Sequence, residues 1–193
     1  ALNPAVGYDF WDEPKRYFSV QLGVGYASEK SDFGDTSGGN IDFTGPVELN
    51  QGVGTTTITS TGTLDLDVVD DASDNTALVA ISTGTTSLSG NITAASIDFT
   101  GAAVDTTGHL TISTADANGT LDLGTLDSSG SADITLASGT GDLTLGLTGA
   151  TNAPSTLNIT SGGEATLGGN ITTAGGGMDF DNTSNVLAAN VTL

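Results

Sequence analysis

The clearest pattern of apolar and polar positions lies in residues 17–26, where the two classes alternate with a period of two. Such alternation predicts a β-strand with one apolar face and one polar or small face. The apolar positions are Phe18, Val20, Leu22, Val24 and Tyr26. Three roles are open for this strand: a cap on the repeats that follow, a strand donated to a neighbouring subunit, or a strand of a membrane barrel.

Beyond residue 37 the chain consists of short runs of Thr, Leu, Ile, Val and Asp, separated by Gly, Asn and Ser. In residues 142–148 the leucines alternate with small or polar residues, which predicts one buried face and one solvated face. No run has helical periodicity, so we expect an all-β protein with almost no helix. Examples of the predicted strands are 55–60, 63–69, 77–82, 109–113, 133–137, 142–147, 156–160 and 190–193.

One segment recurs along the chain, and each copy contains an Asp followed by Phe. The aromatic residues beyond residue 33 are Phe43, Phe99 and Phe180, and each follows an Asp. The separations are 56 residues from Ile41 to Ile97 and 81 from Ile97 to Met178. These separations are close to three and four times one length of about nineteen or twenty residues. Separations near multiples of one length are typical of repeat architectures, so they predict coils of that length.

Two all-β architectures are compatible with these strands. In a parallel β-solenoid, stacked coils bury a thin aliphatic column and turn at Gly and Asn corners. In a β-sandwich or jelly roll with a donor strand, the strands pair antiparallel through tight hairpins. Asn118-Gly119 is the single Asn-Gly dipeptide and Asp-Gly is absent. The scarcity of hairpin turns, together with the repeats, favours the solenoid.

Charge and aromatic residues divide the chain into residues 1–37 and residues 38–193. The first part holds seven of the ten aromatic residues and every basic residue, namely Lys15, Arg16 and Lys30. From residue 31 onward there are 19 Asp or Glu and no Lys or Arg. We therefore predict an N-terminal aromatic segment with a capping or donor strand and a β-repeat body. The acidic body would repel phosphates, which excludes nucleic acid as a partner.

The body resembles a known family in segments such as 39–49, 88–93 and 187–193. Their pattern is similar to the degenerate repeats of filamentous-haemagglutinin-like and autotransporter-passenger proteins. The resemblance covers roughly residues 38–193. It implies a right-handed parallel β-helix and a secreted protein of the bacterial surface.

Residues suited to catalysis are scarce, and we assign no catalytic residue. The single His109 cannot form a multi-histidine metal site, and the absence of Cys removes thiolate ligands and disulfides. We expect His109 to be an exposed strand residue. No apolar run is long enough for a membrane helix, so we expect no membrane span. Because the chain begins at Ala1, we interpret it as a processed protein or a fragment.

Two sets of residues are candidates for binding or modification. Calcium binds six to eight oxygen ligands in flexible geometry, and one acidic loop could supply several of them, with a solvated turn as the alternative. The calcium candidates are Asp67, Asp70, Asp71, Asp74 and Asn75. The Asn-x-Ser/Thr sequons, which are candidate glycosylation sites, are Asn91, Asn118, Asn158, Asn170, Asn182 and Asn190.

The first hypothesis for function is an extracellular structural protein, the subunit of a filament or stalk that assembles head to tail. The strand at 17–26 would form part of the joint, so we expect a homo-oligomer or homopolymer. One alternative is an adhesin segment that binds cell-surface glycans. Another is a polysaccharide-active β-helix enzyme.

Overall fold

The computed structural model describes residues 36–49, 53–71, 76–188 and 190–193. These ranges contain 15 strands and no helix, which confirms the all-β prediction. The strands are β1 (Thr36–Gly38), β2 (Ile41–Phe43), β3 (Val47–Glu48), β4 (Gly54–Ser60), β5 (Leu64–Leu66), β6 (Val69–Asp70), β7 (Thr76–Leu88), β8 (Ile92–Thr93), β9 (Ser96–Thr106), β10 (Leu110–Ser113), β11 (Leu121–Asp127), β12 (Asp133–Gly139), β13 (Leu143–Thr148), β14 (Thr156–Leu167) and β15 (Gly177–Leu187). The predicted strand at 17–26 lies outside the described residues.

All strand pairs in the described ranges are parallel. They stack as a β-solenoid of about 6 turns, which confirms the predicted fold class. The sandwich alternative is wrong for these residues, because a sandwich of this type pairs its strands antiparallel. Parallel neighbours need a crossover, and here each coil of the solenoid provides it.

Each coil contributes to three stacks of strands. Stack 1 contains β1, β4, the first parts of β7, β9, β11 and β13, and the last parts of β14 and β15. Stack 2 contains β2, β5 and the last parts of β7, β9, β11 and β13. Stack 3 contains β3, β6, β8, β10, β12 and the first parts of β14 and β15. The long strands therefore run around a corner and belong to two stacks.

The coils are not of uniform length. The register separates paired residues by 18 positions at Thr86 and Val104 but by 24 at Ile97 and Leu121. The repeated Asp-Phe segments accordingly do not occupy equivalent places: Phe43 lies in stack 2, Phe99 in stack 1 and Phe180 in stack 3. The predicted coil of nineteen or twenty residues is wrong, because the repeated motif marks the alternation of a strand rather than a position in the coil.

The core is a column of aliphatic side chains that point inward from the three stacks. Phe99, Leu121 and Ile159 are typical, each 0% exposed. Within β13, Leu143 and Leu145 point inward as predicted, whereas Leu147 is 40% exposed. The strand passes from stack 1 to stack 2 at this point, and the alternation changes phase there, so Thr148 takes the inward position instead.

The two ends of the described solenoid differ in burial. In the first coil Phe43, Val47 and Leu49 are all buried. In the last coil Phe180 is half-buried and Leu187 is 51% exposed. The predicted strand at 190–193 is wrong, because the last strand ends at Leu187 and these four residues have no strand assignment.

Candidate functional site: the acidic face and the free strand edge

A row of carboxylates follows the outer side of stack 2. The register places Asp42 beside Asp65, and Asp105 beside Asp127, with Ser87 between the two pairs. Neighbouring strands lie about 4.8 Å apart, and two charges at that distance repel by about 0.9 kcal/mol in bulk water. No Lys or Arg from residue 31 onward is present to offset this repulsion.

The two pairs in this row have different surroundings. Asp105 Oδ1 accepts a hydrogen bond of 2.7 Å from the backbone N–H of Ser129. Asp127 Oδ1 accepts bonds from the N–H groups of Thr151 (3.1 Å) and Asn152 (3.3 Å). These bonds tie each carboxylate to the following coil. Near the first coil, a shallow groove of about 270 Å³ runs along the other pair. Its polar lining is Asp42, Thr44, Asp65, Asp67, Ser87 and Ser89.

The structure separates the residues predicted to bind calcium. Asp67 accepts a weak hydrogen bond of 3.4 Å from the Ser89 hydroxyl, and Asp70 is exposed on β6. Asp71 is buried, and its Oδ2 accepts the backbone N–H of Thr76 at 2.6 Å. Asp74 and Asn75 lie outside the described residues. Within the described ranges, no three His, Cys, Asp or Glu side chains are arranged to hold a metal ion. Calcium binding stays a prediction.

A second set of polar side chains was missed by the sequence analysis. At the corners, side-chain acceptors bond the backbone N–H of a residue 20 to 24 positions later, which lies in the next coil. This satisfies backbone donors that the strands leave unpaired at the turns. The acceptors include Asn40, Asn91, Asp105, His109, Asn118, Asp127, Asp142 and Asn170.

The predicted glycosylation sites differ in structural environment. Asn91, Asn118 and Asn170 are exposed, and the Oδ1 atom of each accepts an N–H from the next coil at 2.9 Å. Asn158 is half-buried and its Oδ1 is enclosed without a partner. Asn190 is exposed, and Asn182 lies in β15. Three of the sequons therefore contain a side chain that also links two coils.

His109 lies on the surface beside Asp133, with its Nδ1 3.2 Å from Asp133 Oδ2. The same Nδ1 accepts the backbone N–H of Asp133 at 3.0 Å, which requires that nitrogen to be unprotonated. Thr156 donates its hydroxyl to the carboxylate rather than to the imidazole. This hydrogen bond is the main cause that lowers the pKa of Asp133, with a smaller contribution from the Ser155 side chain. His109 thus accepts a backbone hydrogen bond at a corner. It does not accept the Thr156 hydroxyl, so it cannot act as a base that activates that hydroxyl.

The remaining feature is the edge of the first part of β15, residues 177–182, which we call the free edge of β15. This part pairs with β14, and within the described residues no other strand pairs with it. An edge without a strand partner can pair with another chain. Met178 and Phe180 pack against the core but are only half-buried. A free parallel edge beside incompletely covered apolar residues can accept another extended strand.

Comparisons with known proteins do not assign the chain to a family. None of the described residues forms a helix with the length and apolar character needed to cross a membrane. The chain matches no protein-family model, no curated protein and no solved structure.

Proposed function

We propose that this protein is a secreted structural protein, a β-solenoid subunit of an extracellular filament or stalk that assembles head to tail. The observation that carries the proposal is the difference between the ends of the described solenoid. One end buries Phe43 and Leu49, whereas the other leaves Phe180 half-buried and Leu187 51% exposed. Unlike ends favour a heterologous contact, which continues as a filament when its rotation does not close a ring.

The sides of the solenoid support the same proposal. Exposed carboxylates and hydroxyl groups cover them, and from residue 31 onward no basic side chain is present to pair with a neighbouring copy. Lateral contacts between the bodies of two copies would therefore bring like charges together. The parallel solenoid is also compatible with the filamentous-haemagglutinin-like and autotransporter-passenger surface proteins that residues 38–193 resemble.

Negative-stain electron microscopy of the purified full chain, with light scattering over a range of protein concentrations, tests this function. We expect filaments one solenoid wide whose mean length increases with concentration. Monodisperse single rods at every concentration would contradict the proposal. Glycan-array binding by such rods would point to the adhesin alternative, and release of reducing ends from acidic polysaccharides would point to the enzyme.

A further inference from the structure

We propose that the free edge of β15 accepts residues 17–26 of a second copy as an added parallel strand. This inference rests on the proposed filament and names its joint. The acceptor is the edge of the last described strand. The donor is a segment that lies outside the described residues and has the strongest strand pattern in the sequence.

The donor and the acceptor match in direction, and their alternation matches along residues 177–182 of β15, before the register shift that follows Asn182. The alternating segment is ten residues long, enough to cover these six positions. Every strand pair in the described solenoid is parallel, so an added strand that continues the stack runs parallel as well. Such a strand would satisfy backbone groups of the β15 edge in the same way that β15 satisfies those of β14.

The side chains fit one register in particular. In β15, Met178 and Phe180 face the core and are only half-buried, while Asp179 between them is exposed. Placing Phe18 above Met178 sets Val20 above Phe180, since both strands alternate with a period of two. The apolar column then continues by one layer. In this register Ser19 lies beside Asp179 on the outer face.

Charge distinguishes this donor from a second copy of the same edge. Asp179 and Asp181 are exposed on β15. If the β15 edges of two copies paired with each other, these carboxylates would approach their equivalents with no basic residue from the body to offset them. The donor segment instead follows directly after Lys15 and Arg16, two of the three basic residues in the chain. The acidic edge is complementary to the basic end of this segment.

Disulfide trapping in the full chain tests the joint, because the protein has no Cys of its own. In the predicted register, the Cα atoms of residues 19 and 179 lie within the 4.4–6.8 Å that a disulfide requires. The double variant Ser19→Cys/Asp179→Cys should form a ladder of covalent multimers under mild oxidation. An equimolar mixture of the two single variants should form covalent heterodimers and nothing larger.

The matched control is Ser19→Cys/Thr135→Cys. Thr135 lies on the same face as Asp179 but two coils earlier, because Thr135 pairs with Asn158 and Asn158 pairs with Asp179. At about 4.8 Å per coil it would be three layers from the donor, too far for a disulfide. We expect at least a tenfold lower yield of multimers from this control. Comparable yields from both pairs would mean random collision and would overturn the proposal.

Three further outcomes would also overturn it. A cross-linked monomer from Ser19→Cys/Asp179→Cys would show that the segment covers the edge of its own chain. Homodimers from Asp179→Cys alone, at the yield of the mixture, would show that two β15 edges pair with each other. Absence of any cross-link would show that the edge does not accept this segment in the predicted register.

Failure of the joint is distinguishable from failure of the filament. If the wild-type chain forms filaments by electron microscopy but no 19–179 cross-link, the joint is wrong and the proposed function stands. If the wild-type chain forms no filaments at any concentration, the proposed function fails. A donor variant, Val20→Asp/Leu22→Asp, should form no filaments on its own. When it also carries Asp179→Cys and is mixed with the Ser19→Cys variant, its unchanged β15 edge should still form covalent heterodimers, and their absence would overturn the joint.

Discussion

The first and last described coils contain the same Asp-Phe pair, but they cover it differently. Phe43 is 6% exposed in the first coil, whereas Phe180 in the last coil is half-buried. Phe99, with a coil on either side, is fully buried. The motif therefore specifies which side of a strand is apolar, and stacking determines how much of that side is removed from water. The last coil therefore obtains only part of the stabilisation that burial gives to the coils of Phe43 and Phe99.

The largest expected effect comes from shortening the phenylalanine in this motif. Phe99→Ala should lower the free energy of unfolding by about 3–5 kcal/mol, because it leaves a cavity in a column with coils on both sides. Phe180→Ala should cost less than half as much in dilute protein. Urea unfolding followed by circular dichroism measures both, provided that the dependence on urea concentration stays the same.

The control for this pair is Phe43→Ala, which should behave like Phe99→Ala because Phe43 is buried. Equal losses at Phe99 and Phe180 in dilute protein would show that the last coil is covered within a single molecule. If instead a second copy covers it, the cost of Phe180→Ala should rise with protein concentration, since association stabilises by mass action.

The alternation of apolar and polar residues predicted several of the strands, because burial in a thin column acts on each strand separately. The single strand predicted at 63–69 is wrong, because a corner divides it into β5 and β6. The strand at 156–160 was predicted and occurs as the first part of β14. The length of the coil could not be predicted in the same way. It depends on the corners, and these vary because a turn can gain or lose residues at the surface without disturbing the column. The change of phase at Leu147 arises at one of these corners.

The corner acceptors provide the next comparison between the interior and the last coil. Asn91 Oδ1 accepts the N–H of Thr111 between two inner coils, whereas Asn170 Oδ1 accepts the N–H of Thr192 at the end. Asn91→Ala should lower the free energy of unfolding by about 1 kcal/mol, the usual value for one hydrogen bond. Asn170→Ala should mainly increase hydrogen exchange in residues 190–193, with little change in the urea midpoint.

Asn91→Asp is the matched control, because it keeps an oxygen in the position of the acceptor and removes only the amide nitrogen. It should retain most of the stability that Asn91→Ala loses. An equal loss in the two variants would mean that the amide nitrogen, rather than Oδ1, is the important group. These acceptors could not be predicted from the sequence, since their partners lie 20 or more residues away at a distance set by the irregular coil length.

The smallest expected effect concerns the carboxylates at the two ends. Asp42 and Asp65 are register neighbours near the first coil, whereas Asp179 in the last coil lies beside Asn158. Asp65→Asn should therefore raise the free energy of unfolding at low salt, by up to about 0.9 kcal/mol. The gain should disappear near 1 M sodium chloride, where the screening length is about 3 Å. Asp179→Asn, measured in dilute protein, should give no comparable gain at either salt concentration because its neighbour is uncharged. Urea unfolding of the two variants at both salt concentrations measures the difference, and an equal gain in both would mean that the net charge of the chain, rather than the stacked pair, sets the repulsion.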